Sequence, residues 1–470
     1  MRIKPLLFCL LALAGVLFVN ARIVLPSIIS SNMVLQQNAR VALWGKAKRG
    51  SKISIITGWN RKSYSTTTLQ DSSWKLMVET PAAGGPYEIS ISDGEAVTLK
   101  NILIGEVWLC SGQSNMEMPV KGFGNQPILH SNDILVDAEN PQIRLFRVEK
   151  AMTRTPQPDC KATPWEDANA QSVKEFSAVG YQFAKILQEK LKVPVGVIMS
   201  AYGGTKIEAW MDAQSLKTFP GTKIIPVSDT AAIIKNDATV LYNAMIHPIE
   251  GYGINGAIWY QGESNRSNAK EYDRLMQEMV ASWRKLWQMG DWPFYYVQIA
   301  PYVYTERDVR GLAPALREAQ EKALSLIPNS GMVVTMDIGM EKTIHPPDKS
   351  TVSRRLAYLA LANRYGKKGI SFASPSYKSM RVTDTAVYVN FQNTPNGLMT
   401  TATALSAFEI AGEDRIFYPA KAKISGNGVM IENGAVKKPV AVRYGFKDFI
   451  TGDLFNTEGL PVAPFRTDQW

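Results

Sequence analysis

From about residue 102 to 367, apolar runs alternate with long helical patterns, and this alternation constrains the fold more than any other feature. The runs ILIGEVWLC, VPVGVIMSA, INGAIWYQ, PFYYVQIA and MVVTMDI lack the strict alternation of a half-exposed strand. Parallel strands buried on both faces read this way. Between them, SAVGYQFAKILQEKL, AKEYDRLMQEMVASWRKLW, ALREAQEKALSL and STVSRRLAYLALANRY carry helical periodicity, with Ser350 the expected N-cap of the last and Gly366 its stop. Strands alternating with helices imply an α/β domain built on an open parallel sheet, whose ligands bind beyond the carboxyl ends of the strands.

The flanks are different. Residues 22–101 hold short alternating segments such as KISIIT and YEISIS between Gly, Pro, Asn and Asp clusters, the pattern of a small antiparallel β domain. Residues 368–470 return to β-type segments, including AVYVNF, GVMIE and PVAVRYGF, which form a unit of their own or join the N-terminal β segment in one sandwich. Residues 1–21 read as a secretory signal: Arg2 and Lys4, the apolar run LLFCLLALAGVLFV, then Val19 and Ala21 before a mature start at Arg22. That run is shorter than the roughly 20 residues of a spanning helix, so an exported protein, periplasmic or extracellular, without stable membrane insertion is expected. Cys110 and Cys160 then remain, either paired or as two buried thiols. The net charge of +10 falls to +8 without Arg2 and Lys4, and the basic residues are scattered, which argues against a nucleic-acid partner.

The chemistry gathers where runs end. In GEVWLCSGQSNMEM the strand stops at Gly112, which supplies a tight turn, and Ser114 follows as a candidate nucleophile or as a simple helix N-cap. Met116 stands where an α/β-hydrolase elbow needs its second glycine. A serine nucleophile needs a base, and the chain has three histidines. His130 reads as a solvated loop residue, His247 as packed, and His345 as returning to the sheet edge after MVVTM. Oxyanion donors are offered by Gly203 and Gly204 in VIMSAYGGT and by Gln261 in AIWYQGESN. Trp108, Tyr202, Trp210, Trp259 and Tyr260 either stack on sugar faces or belong to the core. The sequence carries neither a zinc-type His/Cys cluster nor a phosphate-cradling glycine loop, so no metal or cofactor is expected.

GEVWLCSGQSNMEM, SAYGGTKIEAW, GAIWYQGESN and IHPPDK together resemble the four blocks of the SGNH hydrolases, specifically the sialate O-acetylesterase group. NMVLQQNARVALWG and NTEGLPVAPFRTD resemble that group's terminal β segments, so the likeness covers nearly the whole mature chain. The resemblance implies a flavodoxin-like SGNH hydrolase domain over residues 102–367, flanked by β-sandwich-type segments. It implies an O-acetylated sugar as substrate, sialic acid or a sialoglycan. Ser114 would attack the ester carbonyl, His345 would carry the proton, and the Ser114 and Gly204 N–H groups with the Gln261 side chain would form the oxyanion hole. Arg317 and Gln320 in LREAQ resemble a recurring family feature and would bind the sialate carboxylate, a surface salt bridge being the alternative.

The sequence departs from the family at the acid. Three residues before the histidine, where an Asp is usual, stands Lys342. Asp337 or Glu263 is expected to fill the role, with Glu341, Asp348 or a Ser-His dyad oriented by a backbone carbonyl as alternatives. If His345 is the base, activity falls as the imidazole protonates, around pH 6.5 unless the site shifts it. Two other readings stay open: a deacetylase of xylan or another polysaccharide, and a non-catalytic carbohydrate-binding protein.

Overall fold

The computed structural model describes residues 23–304 and 311–470, so the expected signal segment lies outside the described residues. The central layer is built from β1 (Ala96–Gly112), β2 (Asn140–Val148), β3 (Ala162–Ala168), β4 (Val195–Ala201), β5 (Gly256–Tyr260), β6 (Phe294–Val297) and β7 (Ser330–Val333). Its helices include α1 (Ser114–Glu117), α2 (Ala178–Leu191), α3 (Ala269–Trp287), α4 (Leu312–Leu326) and α5 (Lys349–Leu359). The sheet runs β7–β6–β5–β1–β4–β2–β3. All neighbours are parallel except β3, which lies antiparallel to β2 at one edge. With β2 and β3 set aside, the remaining five strands follow the flavodoxin-like order, whose switch point falls between β1 and β5.

The apolar runs are buried for the reason their composition gives. Every residue of β4, β5 and β6 is buried, because helices and loops cover both faces of the sheet. Strand β2 is the one the pattern hides: NPQIRLFRV carries two arginines, and the buried Arg144 pairs with Asp167 of β3 at 2.5 Å. Helix α3 begins at Ala269 and ends at Trp287, and α2 is capped by Ser177, whose side chain accepts from the Gly180 N–H at 3.0 Å. The expected cap of α5, Ser350, is displaced by Asp348, which accepts from the Thr351 N–H at 2.9 Å. Its carboxylate suits the positive end of the helix better than a hydroxyl.

Strand β1 spans 17 residues, so the expected division between residues 101 and 102 falls inside it. Its first half pairs with Gly84–Ser92, which pairs with Lys52–Thr57, while its second half lies between β4 and β5. The N-terminal strands also share one core with the central layer: Val41, Leu43, Ile53 and Ile55 belong to the same cluster as Tyr272, Met276 and Trp283 of α3. The C-terminal strands pair among themselves and gather a separate core around Val387, Val389, Phe408, Ile410, Tyr444 and Phe465. Cys110 and Cys160 are both free and buried, and they sit in different core clusters, so the expected option of a disulfide is not realised. Among the described residues no helix is long and apolar enough to cross a membrane.

At its carboxyl end β1 is packed too closely for a side chain. Gly112 has φ +139°, and a Cβ there would lie 2.2 Å from the Tyr260 carbonyl oxygen. Gly112→Ala is therefore expected to destabilise the protein by roughly 1–3 kcal/mol, measured as a lower denaturant midpoint with an unchanged m-value.

Candidate active site

In register, Gly112 lies opposite Ala201 of β4 on one side and Tyr260 of β5 on the other, so three strands end at one level. The segments that follow them supply Ser114, the Gly203–Gly204 turn and the Gln261–Glu263 turn. Gly203 is needed for the approach: a Cβ there would stand 3.2 Å from Ser114 Cβ, and its N–H donates to Glu117 Oε2 at 2.6 Å. Gly204 takes the left-handed φ of +70°. The loop after β7 brings His345 to the same edge.

There Ser114 Oγ and His345 Nε2 are 2.7 Å apart. They open into a cavity of about 520 Å³ lined also by Gln113, Gly204, Glu263, Ser264, Arg266 and Ile344. The imidazole's other nitrogen, Nδ1, lies 2.5 Å from Gln126 Oε1. An amide oxygen only accepts, so Nδ1 carries the proton and Nε2 presents its lone pair to the serine hydroxyl. The tight turn that places Gln126, closed by reciprocal Phe123–Gln126 backbone bonds of 3.0 and 3.1 Å, also sets the Phe123 ring edge-on against the imidazole, 5.4 Å between centroids. Burial, reinforced by the Lys349 charge, lowers the His345 pKa from 6.5 to about 4.

Several expected residues stand elsewhere. Asp337 does not orient the histidine, because both its oxygens are held by Arg355, at 2.8 and 2.6 Å. Glu263 lines the cavity, but its carboxylate accepts from Asn115 Nδ2 at 2.6 Å. Asp348 caps α5 and Glu341 is exposed, so among the described residues it is Gln126 that holds Nδ1. Gln261 is fully buried, and its Nε2 protons go to the Thr205 carbonyl at 2.9 Å and Asn265 Oδ1 at 2.7 Å, which leaves none for an oxyanion. Arg317 is 0 % exposed, and its guanidinium donates to the Lys447 carbonyl, tying α4 to the C-terminal unit. Gln320, also buried, accepts from the Ile299 N–H at 2.9 Å and donates to the Gln261 carbonyl at 3.1 Å, joining the ends of β5 and β6. Neither lines the cavity. Trp108, Trp210, Trp259 and Tyr260 are core, and Tyr202 lies under the ammonium groups of Lys150 and Lys235. His130 is exposed beside Asp133, and His247 is held by Glu250 at 3.1 Å.

Two residues escape the sequence reading. Gln126 sits in a turn with no periodic signal. Gln113, immediately before the serine, accepts the Gly262 and Ser264 N–H groups on its Oε1 at 3.2 and 3.4 Å. Its Nε2 has no acceptor among the described residues, which makes it a donor at the cavity wall. Gly204, whose N–H makes no hydrogen bond among the described residues, and the first-turn N–H of Ser114, which has no acceptor within its own helix, lie beside it.

With this geometry in place, the comparisons decide the family. A carbohydrate esterase family described as sialic acid-specific acetylesterase matches residues 104–362, more than half of the chain. The chain belongs to that family. It is 30 % identical over 385 residues to the sialate O-acetylesterases of Pongo abelii and of Homo sapiens, covering 74 % of this chain and 72 % of each relative. The crystal structure of a carbohydrate acetylesterase from Xanthomonas citri superposes with a TM-score of 0.87 at 34 % identity, covering 95 % of this chain and all of the other. The protein is a carbohydrate esterase acting on O-acetyl esters, with the fold of that acetylesterase.

The lowered histidine pKa has a kinetic consequence. If His345 is the base it must be neutral, so kcat/KM is expected to stay level from pH 8 to 5 and to fall only as pH drops through about 4, not near 6.5. Gln126→Glu places a carboxylate against Nδ1, stabilises the imidazolium and should move this acidic limb upward by roughly 1–3 pH units. A pH–rate profile on p-nitrophenyl acetate checks both.

Proposed function

We propose that the protein removes O-acetyl groups from sialic acid or sialoglycans through an acetyl-enzyme on Ser114. The contact between Ser114 Oγ and His345 Nε2 at 2.7 Å, inside a cavity at the sheet's switch point, carries the proposal. The sialate O-acetylesterases to which the chain is 30 % identical support the sugar.

In this reading Ser114 Oγ attacks the acetyl carbonyl carbon as its proton passes to Nε2. Negative charge on the carbonyl oxygen is met by the N–H groups of Ser114 and Gly204, with the Gln113 side chain in the place the sequence assigns to Gln261. The carbon–oxygen bond to the sugar then breaks, and the Nε2 proton moves to the departing sugar oxygen. Water repeats the sequence in reverse, releasing acetate and restoring the hydroxyl. Throughout, Nδ1–H stays on Gln126, so the imidazolium is met by an amide dipole where other triads use a carboxylate.

The Xanthomonas citri structure, described only as a carbohydrate acetylesterase, supports a second reading in which the substrate is another acetylated carbohydrate, such as xylan. Export with loss of residues 1–21 is part of the first reading, and the exported protein should begin at Arg22 by N-terminal sequencing.

Ser114→Ala should abolish ester hydrolysis, lowering kcat by about 10⁴-fold or more. Initial rates on O-acetylated sialic acid should exceed those on acetylated xylan; turnover of xylan alone would reject the sialate assignment.

A further inference from the structure

We propose that Lys349, Asn115 and Glu263 form a buried positioning relay that clamps the serine-bearing turn to the histidine-bearing loop. This proposal rests on Ser114 and His345 being the reacting pair. The three residues come from three places that the sheet brings together: Asn115 follows the nucleophile, Glu263 follows β5, and Lys349 opens α5 just beyond the histidine. Asn115, Glu263 and Lys349 are 0 %, 6 % and 1 % exposed.

Asn115 is held at both polar atoms of its amide. Its Oδ1 accepts from Lys349 Nζ at 2.5 Å, and its Nδ2 donates to Glu263 Oε1 at 2.6 Å and to the Ile344 carbonyl at 3.1 Å. A cation on the oxygen and an anion on the nitrogen fix the amide in one orientation, since turning it over would set like partners against each other. The remaining bond, to Ile344, reaches the residue that precedes His345. The clamp therefore joins the neighbour of the nucleophile to the neighbour of the base.

Lys349 does more than hold Asn115. Its ammonium lies over the Tyr260 ring at 5.6 Å, with Glu263 and Asp348 as the carboxylates that act on it. Burial brings its pKa down to about 7 and pushes that of Glu263 up, so each charge depends on the other. Lys349 is also the charged group acting on His345, where it opposes protonation of the imidazole. The same ammonium thus adds to the burial that keeps the imidazole neutral and, through Asn115, holds the serine-bearing turn in place. Neither effect needs contact with substrate, so Lys349, Asn115 and Glu263 are positioning residues.

The test is Lys349→Met in the full chain, with p-nitrophenyl acetate as substrate. The relay predicts a kcat lower by roughly 10- to 100-fold with KM within about twofold, because the pair is misplaced while the cavity wall is intact. It also predicts that the acidic limb of kcat/KM moves above about 4 by the share that the Lys349 charge supplies, while burial of the imidazole keeps it below 6.5. Should Lys349→Met leave Glu263 uncompensated and unfold the chain, Lys349→Met with Glu263→Gln removes both charges together and keeps the interior neutral. That double variant should fold, show the same rise in the acidic limb and retain the low kcat. A folded variant of either kind with the parent kcat and an acidic limb still near 4 overturns the relay. Ser114→Ala distinguishes the two levels: if it hydrolyses at the parent rate, the serine esterase reading fails; if it is inactive while the lysine variants behave as the parent, only the relay fails.

Discussion

Everything at the active edge depends on a register. Gly112 stands level with Ala201 and with Tyr260, so the segments leaving β1, β4 and β5 start from one line, a few ångströms apart. Such closeness is possible only because the positions that meet lack side chains: Gly112 presses on the Tyr260 carbonyl, and Gly203 on Ser114. The catalytic geometry is thus a consequence of strand pairing, and the loops add to it by bonds between themselves, as Glu117 does with the Gly203 N–H.

The second theme is a base without a carboxylate partner. An amide oxygen selects the tautomer of His345 as well as an aspartate would, but it contributes a dipole instead of a full charge. The ionised groups nearby are set one layer deeper, where Lys349 and Glu263 face each other across Asn115. In the proposed mechanism, charge at this site holds backbone and side chains still, and the imidazole remains neutral until the serine gives up its proton. Burying such a pair is unfavourable unless its hydrogen bonds are made; Asn115 makes one to each partner, and Glu263 Oε2 is left without one among the described residues.

The layer architecture is legible in the sequence, since apolar runs without alternation, set between helices, suit strands covered on both faces, and helix α3 is legible to its ends. Ser114, His345 and Gly204 are legible too, because a nucleophile, a base and a glycine turn at strand ends are recognisable by chemistry. Strand β2 is not, as Arg144 and Arg147 break its apolar run and reveal their purpose only when Arg144 meets Asp167. The histidine's partner is hidden for a related reason. Sequence proximity points to a carboxylate near His345, whereas Asp337 is claimed by Arg355 and Nδ1 turns to Gln126, 219 residues away along the chain. Arg317, Gln320 and Gln261 read as ligand-facing because they are polar and lie near functional blocks. Each instead satisfies buried backbone, a role that spacing does not distinguish from binding.

The strand that delivers the serine also settles where this polypeptide is divisible. Because β1 runs unbroken from Ala96 to Gly112, severing the chain at residue 101 would strip the catalytic sheet of part of its longest ribbon and expose a raw hydrogen-bonding margin prone to self-association. The tail gathers its own apolar centre and meets the esterase layer through a seam of ties such as Arg317 to Lys447 and Arg466 to Glu318. The front β segment and the esterase layer, joined by that ribbon and by a common core, stand or fall as one piece.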